Sequence, residues 1–490
     1  MRKTFVWRSA ILTDAALARD IAKITTRCGA ALIRWPAGAR TGMVIVREYA
    51  VAAPDDDTKG SRIPKGRIER LTRFGGLASG IAGSMLANGA KALASGARPD
   101  IRSLLLTPSN AARAADELAK LRGAAMKVGQ LLSMDAGDFI PPELSEIFAR
   151  LRAMAEPMPG GQLRLTLERN WGRDWLRRFE RFDVKPIAAA SIGQVHRALT
   201  KDGRDLAIKV QYPGVRESID SDVDNLAALL KISGLMPEGL DIGPFLGDAK
   251  KQLCDEADYA CEGAFLARFR LLLSGSEDFI VPALHADLTT PNVLAMDYVA
   301  GEAIETLAGA PQDARDRIAG LLIGLTLREL FEFRLMQTDP NFANYRYDRA
   351  SGKIALLDFG ATRAFSGDFM QNYRRLMSAG LARDGAAIRH AALAIGLFDE
   401  PTMARHEARL LTIFDMALEP LRQREAFDFG ASDLSARLRD EGIAFNAERE
   451  LRRLPPTDAL FIHRKVGGMY LLATRLKARV AMRPLVEKWL

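Results

Sequence analysis

Lys209, Asp339, Asn344 and Asp358 are the residues whose types and spacing suit a defined chemistry. Lys209 closes Ala207-Ile208-Lys209, Asp339 and Asn344 stand in MQTDPNFAN (336–344), and Asp358 opens Asp358-Phe359-Gly360 after an apolar run. Phosphoryl transfer from a nucleoside triphosphate asks little covalent work of a protein. It needs a cation on the phosphates, hard oxygen ligands for Mg²⁺ and an acid beside the attacking oxygen. Lys209 would supply the first, Asn344 and Asp358 the second, and Asp339 the third. At about 4 Å and an effective dielectric of ~20, one lysine–phosphate pair is worth roughly 4 kcal/mol before desolvation.

Protein kinases present such groups in the same order: a strand lysine, a D-x-x-x-x-N loop and a D-F-G. The Asp339–Asn344 offset matches that loop, and Pro340 fixes the backbone after the acid. A lysine so used needs an acidic partner from a helix, and DEADYACE (255–262) offers three. Asp258 and Glu262 share a helical face and Glu256 is turned away, so Glu262 is the expected ion-pair partner of Lys209. Asp428-Phe429-Gly430 repeats the tripeptide without a preceding D-x-x-x-x-N, and reads as a turn in a helical region with no catalytic role. Where a kinase has a glycine-rich phosphate loop, this chain has Ala188-Ala189-Ala190-Ser191. Alanine methyls restrict positive φ, so phosphates would be held differently and nucleotide preference altered.

These groups must be placed by elements that the sequence outlines. RFERFDVKPIAAASIGQVHRALTKDGRDLAIKV (178–210) alternates and is rich in β-branched residues, with Asp202-Gly203 as a hairpin turn, and predicts a small antiparallel sheet ending at Lys209. Helices are expected over about 216–234 and 244–272, then a strand-like stretch, 279–301, that closes at a glycine and suits a link between lobes. Residues 313–335 read as an apolar helix, 352–358 as a short strand, and the remainder as helices with Arg-rich faces. The order predicts an α+β, protein-kinase-like bilobal fold with additional helices at both ends. The boundaries drawn are 1–65 for an extension and linker, 66–165 for a helical N-terminal extension, 166–300 for the N-lobe, 301–400 for the C-lobe and 401–490 for a further helical part of that lobe.

At 490 residues the chain exceeds one small core. Its 48% hydrophobic and 27% charged residues are ordinary for a globular protein. A net charge of +8 and pI near 9.4 permit attraction to anionic partners, among them phospholipid headgroups. Nucleic acid is not expected, because aromatics and basic residues are not interleaved and no zinc-finger spacing occurs. Three cysteines are too few for a disulfide framework. The basic first forty residues read either as a transit-like segment or as an extension ahead of a true start at Met43. Phe74–Ala90 is an uncharged small-residue run with Gly76-x-x-x-Gly80, suited either to membrane association and helix pairing, including a homodimer, or to a loosely packed surface helix.

Several motifs together resemble the UbiB/AarF-type atypical kinases, also called aarF-domain-containing kinases. They are Lys127-Val128-Gly129-Gln130, the AAAS of 188–191, Glu256-Ala257-Asp258, Lys209, the Met296-Asp297-Tyr298-Val299 linker, TDPNFAN and DFG. The MQTDPN form is most similar to the coenzyme Q branch. The resemblance implies ATP/ADP and Mg²⁺ as cofactors, Lys127 and Gln130 on a helix over the cleft, and Ala188–Ser191, Met296–Val299, Glu256 and Asp258 beside the nucleotide. An occluded protein-substrate groove is also implied, which favours ATP hydrolysis or a small or lipid-like acceptor such as a quinone precursor. The expected setting is a cytoplasmic or matrix-side membrane surface, with anionic lipids and quinone biosynthesis enzymes as partners. Alternatives are a nucleotide-gated scaffold without phosphoryl transfer and an ordinary protein kinase.

Overall fold

A computed structural model describes residues 157–190, 192–232, 243–447 and 455–490. The expected KxGQ helix with Lys127 and Gln130, the 74–90 run and the first 65 residues lie outside these, as does Ser191.

The upper lobe is built on one twisted sheet. Strands β1 (Phe179–Phe182), β3 (Gly193–Thr200), β4 (Asp205–Gln211) and β6 (Val293–Asp297) run in that order, with β2 (Ala188–Ala190) also paired to β3. Asp202-Gly203 forms the β3–β4 turn, Gly203 taking φ +87°. The sequence predicts that the sheet ends at Lys209 with alternating burial, but β4 continues to Gln211 and is buried on both faces from Leu206 onward. β4 is a central strand covered by helices, so its side chains meet protein on either side and the period-2 signal disappears. Helix α1 (Gly160–Trp171) packs on this sheet through Leu163, Leu167 and Trp171, and Trp171 Nε1 donates to the Leu288 carbonyl at 2.9 Å.

Helix α2 (Val215–Ile232) is followed by α3 (Gly243–Glu256) and α4 (Tyr259–Leu272). The single helix predicted over 244–272 is therefore two. Asp258 leaves helical geometry (φ −109°, ψ 94°) and caps α4 by accepting from the Ala260 amide at 3.1 Å. Asp258 and Glu262 consequently do not share a continuous helical face. Residues 279–301 contain two short strands rather than one: β5 (Phe279–Ile280) joins a lower sheet and β6 the upper.

In the lower lobe, α5 (Gln312–Arg328) ends in a π-helical turn, Glu329–Phe333, and a left-handed Arg334. Strand β8 (Leu335–Gln337) then leads into the Asp339 loop. A 3₁₀ turn at Phe342–Asn344 and the hairpin β9 (Tyr345–Asp348) with β10 (Lys353–Leu356) carry the chain to Asp358. β7 (Glu302–Ala303) pairs with β9, and β11 (Thr362–Ala364) with β8. Helices α6 (Gly367–Ala382), α7 (Gly385–Ile395), α8 (Glu400–Ala417), α9 (Glu419–Arg422) and α10 (Leu434–Ala447) complete most of this lobe. The second DFG lies in a turn between helices, as the sequence predicts, with the short strand β12 (Phe427–Asp428) at its start paired to β13 (Arg479–Val480).

Helix α11 (Thr457–Arg475) belongs to both lobes, and α12 (Met482–Glu487) follows it. Its Phe461 sits in the upper core with Leu253 and Tyr259, while Met469, Leu472 and Ala473 enter the lower core with Phe359 and Leu356. No helix among the described residues is long and apolar enough to cross a membrane.

Candidate active site

Lys209 projects from β4 towards α4. Its Nζ lies 2.9 Å from each Glu262 oxygen and 3.2 Å from Asp358 Oδ2, and both Lys209 and Glu262 are buried. α4 places Glu262 here because its Asp258 cap sets the helix start and Gly263 lets the helix approach Leu284 and Leu294. Burial opposes charge on Lys209, but the Asp358 and Glu262 carboxylates outweigh it and hold the ammonium well above the ordinary lysine value. Burial, reinforced by the Asp358 charge, pushes the Glu262 carboxyl up to about 7 against the pull of Lys209. One ammonium between two carboxylates is thus a site that gains from further positive charge, as a divalent ion near Asp358 would supply.

The Asp339 and Asp358 segments are clasped at both ends. Thr338 donates through its amide and its hydroxyl to the Ala361 carbonyl, at 2.9 and 2.7 Å. At the other end, the Leu357 amide donates to the Asn344 carbonyl at 3.0 Å. Asn344 and Asp358 line one cavity. Between them the two side chains offer an amide and a carboxylate oxygen, hard donors of the kind Mg²⁺ takes.

Asp339 is held from outside the motif. Arg464 on α11 places Nη2 3.0 Å from Asp339 Oδ1, with the arginine side chain only 2% exposed. Lys465, next in the chain, is equally buried and reaches the loop's flanks. Gly468, one turn on, packs so tightly against Pro340 that a Cβ there would stand 2.1 Å from Pro340 Cβ. The motif reading missed all three. The signal available was Lys465 itself, a cation four residues from Phe461 and from Met469 on an apolar helix face.

The other expected site residues lie on β2, at the end of β6 and just beyond it, and at the α3–α4 junction. Ala188 and Ala189 are exposed on β2 and Ala190 is half-buried. In the linker, Met296 is buried and Asp297 binds the Ala283 amide and His285 Nε2, at 2.9 and 2.8 Å. The Tyr298 amide donates to Asp205 while its ring lies under the Arg197 guanidinium, 4.0 Å from its centroid; Val299 follows, half-buried. Glu256 is buried and accepts from Gln252, and Asp258 pairs with Arg216 at 3.3 Å. Among the described residues these bonds tie both acids to the α3–α4 junction and not to Lys209.

A lysine on a central strand, a helix glutamate paired to it and two clasped loops below an interlobe linker constitute a kinase-like cleft. Comparison with known proteins agrees. Residues 150–392 match the ABC1 atypical kinase-like domain. The chain is 39% identical over 435 residues to the mitochondrial atypical kinase COQ8B of Rattus norvegicus, covering 88% of this chain and 82% of that one. It is 37% identical over 429 residues to the mitochondrial atypical kinase COQ8 of Saccharomyces cerevisiae, covering 87% and 85%. Among solved structures, that of Rv3197 from Mycobacterium tuberculosis, described as a complex with erythromycin, matches with a TM-score of 0.55 and 25% identity, over 76% of this chain and 93% of that one. The chain belongs to the ABC1 atypical kinase-like family.

Proposed function

We propose that this chain is an Mg²⁺- and ATP-dependent atypical kinase or ATPase that supports coenzyme Q biosynthesis at a membrane surface. The observation that carries the reading is the Lys209–Glu262–Asp358 cluster at 2.9 and 3.2 Å, with Asn344 sharing the cavity of Asp358. Mg-ATP, when bound, supplies the transferable phosphoryl group and the charge that Lys209 and Asp358 are arranged to meet. Lys209 would neutralise phosphate oxygens, Glu262 would hold that ammonium in place, and Asn344 with Asp358 would ligate the metal. Asp339 has Oδ1 engaged by Arg464, which suits orienting an attacking oxygen; a loose phosphoryl-transfer transition state asks little proton abstraction.

Two observations support the setting. The similar proteins are named as mitochondrial COQ8 kinases. Residues 1–156 hold 24 Lys and Arg against 15 Asp and Glu, whereas the remaining residues hold 45 against 46. The basic excess thus lies within the first 156 residues of the sequence, where it would draw anionic headgroups.

Purified full-length protein should hydrolyse Mg-ATP faster with anionic than with neutral liposomes, and Asp358→Asn should abolish that turnover. Unchanged turnover in Asp358→Asn would refute catalysis at this site. Quinone intermediates in a deletion strain complemented with wild type or Asp358→Asn would test the biosynthetic role.

A further inference from the structure

The cavity lined by Asn344 and Asp358 is also lined by a second buried polar group of four residues. Lys465 Nζ donates to Gln337 Oε1 at 3.0 Å and to the Tyr345 hydroxyl at 2.8 Å, and stands 3.7 Å from Glu329 Oε2. All four are buried, and Glu329, Gln337, Tyr345 and Lys465 line that same cavity. Gln337 immediately precedes Thr338, and Tyr345 immediately follows Asn344. The two acceptors of Lys465 are therefore the residues that flank the whole loop carrying Asp339 and Asn344.

An ammonium with two neutral acceptors and one carboxylate nearby is a costly object to bury. It persists only where its hydrogen bonds and counter-charge are all in place. The π turn at the end of α5 supplies Glu329, whose carboxyl burial pushes up to about 7 while Lys465 opposes the shift.

We propose that Lys465 is a positioning residue for the phosphoryl-transfer loop, stapling its two ends so that Asn344 is held at the metal site. Glu329 supplies the counter-charge. The proposal rests on the nucleotide-site reading above for its catalytic consequence, but the staple itself does not. Lys209 and Glu262 lie on other elements, so loosening the staple acts first on the metal side of the site.

The test uses full-length protein with Lys465→Met, Tyr345→Phe and the double variant Glu329→Gln/Lys465→Met. The conservative Tyr345→Phe keeps the ring and removes one acceptor, so it reports on the staple even if Lys465→Met folds poorly. The double variant removes both buried charges and so separates loss of the staple from an unpaired carboxylate. Amide hydrogen exchange without nucleotide should accelerate across 337–345 in all three and stay unchanged in β3 and β4. The Mg²⁺ concentration for half-maximal ATP turnover should rise about tenfold in Lys465→Met and in the double variant, corresponding to ~1.4 kcal/mol. A merely structural lysine would lower the unfolding midpoint without moving the Mg²⁺ dependence. Unchanged exchange in 337–345, or a wild-type Mg²⁺ response in the double variant, overturns the proposal. Absence of turnover in the wild type, with accelerated loop exchange in the variants, leaves the staple standing and removes the functional reading instead.

Discussion

Arg464 reaches Asp339 from 125 residues further along the chain, guanidinium to carboxylate at 3.0 Å. Neither residue is well placed to lose the other, since the arginine side chain is 2% exposed and the aspartate 14%. Breaking such a pair removes one counter-charge from a largely buried ion, a cost of about 3 kcal/mol. Arg464→Met and Asp339→Asn should each lower stability, and the double variant should lose less than their combined losses by about 1–3 kcal/mol. Urea unfolding of the four proteins measures the coupling. Strict additivity would show that the pair does not hold the loop.

Adjacent glycines on α11 offer a matched comparison. A methyl at 468 would overlap Pro340, whereas nothing lies within 4 Å of a methyl at 467. Gly468→Ala should therefore cost about 1–3 kcal/mol of overpacking. Gly467→Ala should be neutral or stabilising by up to ~1 kcal/mol, because alanine is the better helix former. Thermal midpoints of the two variants decide the matter, and a stable Gly468→Ala would mean that the loop can retreat from the helix.

His196 gives the upper lobe a pH dependence. Its Nδ1 donates to the Asp183 carbonyl at 2.8 Å, which leaves Nε2 to accept from Gln194 Nε2 at 2.9 Å, so the ring must be neutral. Burial is the main cause that lowers its pKa to about 4, against hydrogen bonding and charge at Asp183. A histidine lowered in the folded state contributes stability above its unfolded value near 6.5, and that contribution is lost as pH falls through 4. The full effect is about 3 kcal/mol at ~1.4 per unit. The stability advantage of wild type over His196→Gln should shrink between about pH 7 and pH 4.5. A difference independent of pH would mean that the ring is not held neutral.

The two DFG tripeptides should behave in opposite ways. Asp428 forms a partly exposed pair with Arg479 at 3.0 Å and accepts from the Gly430 and Ala431 amides, whereas Phe429 is buried with Phe427 and Tyr470. Asp428→Asn should cost under about 1 kcal/mol and leave ATP turnover intact. Phe429→Ala should cost ~3–5 kcal/mol through the cavity it opens. Loss of turnover in Asp428→Asn, with the fold retained, would give the second copy a catalytic part.

What could be read from the sequence followed from how locally each signal is written. Lys209, Asp339, Asn344 and Asp358 belong to short motifs in a fixed order, and the β3–β4 hairpin is marked by Asp202-Gly203. The split between α3 and α4 was hidden because apolar spacing runs on through Ala257 and Tyr259; only the capping preference of Asp258 marks it. β4 looked shorter than it is because a strand buried on both faces loses its alternation. Arg464, Lys465 and Gly468 were beyond motif reading for a different reason. Their partners, from Glu329 to Tyr345, lie more than a hundred residues earlier, and nothing local announces the pairing.

Because α11 threads Phe461 into one core and Leu472 into the other, swinging the lobes apart would require shearing a 19-residue rod against two hydrophobic interiors at once. Jaw-like gaping is therefore a poor route for admitting or releasing a nucleotide. Traffic through the crevice should instead depend on small displacements of the segments around its mouth.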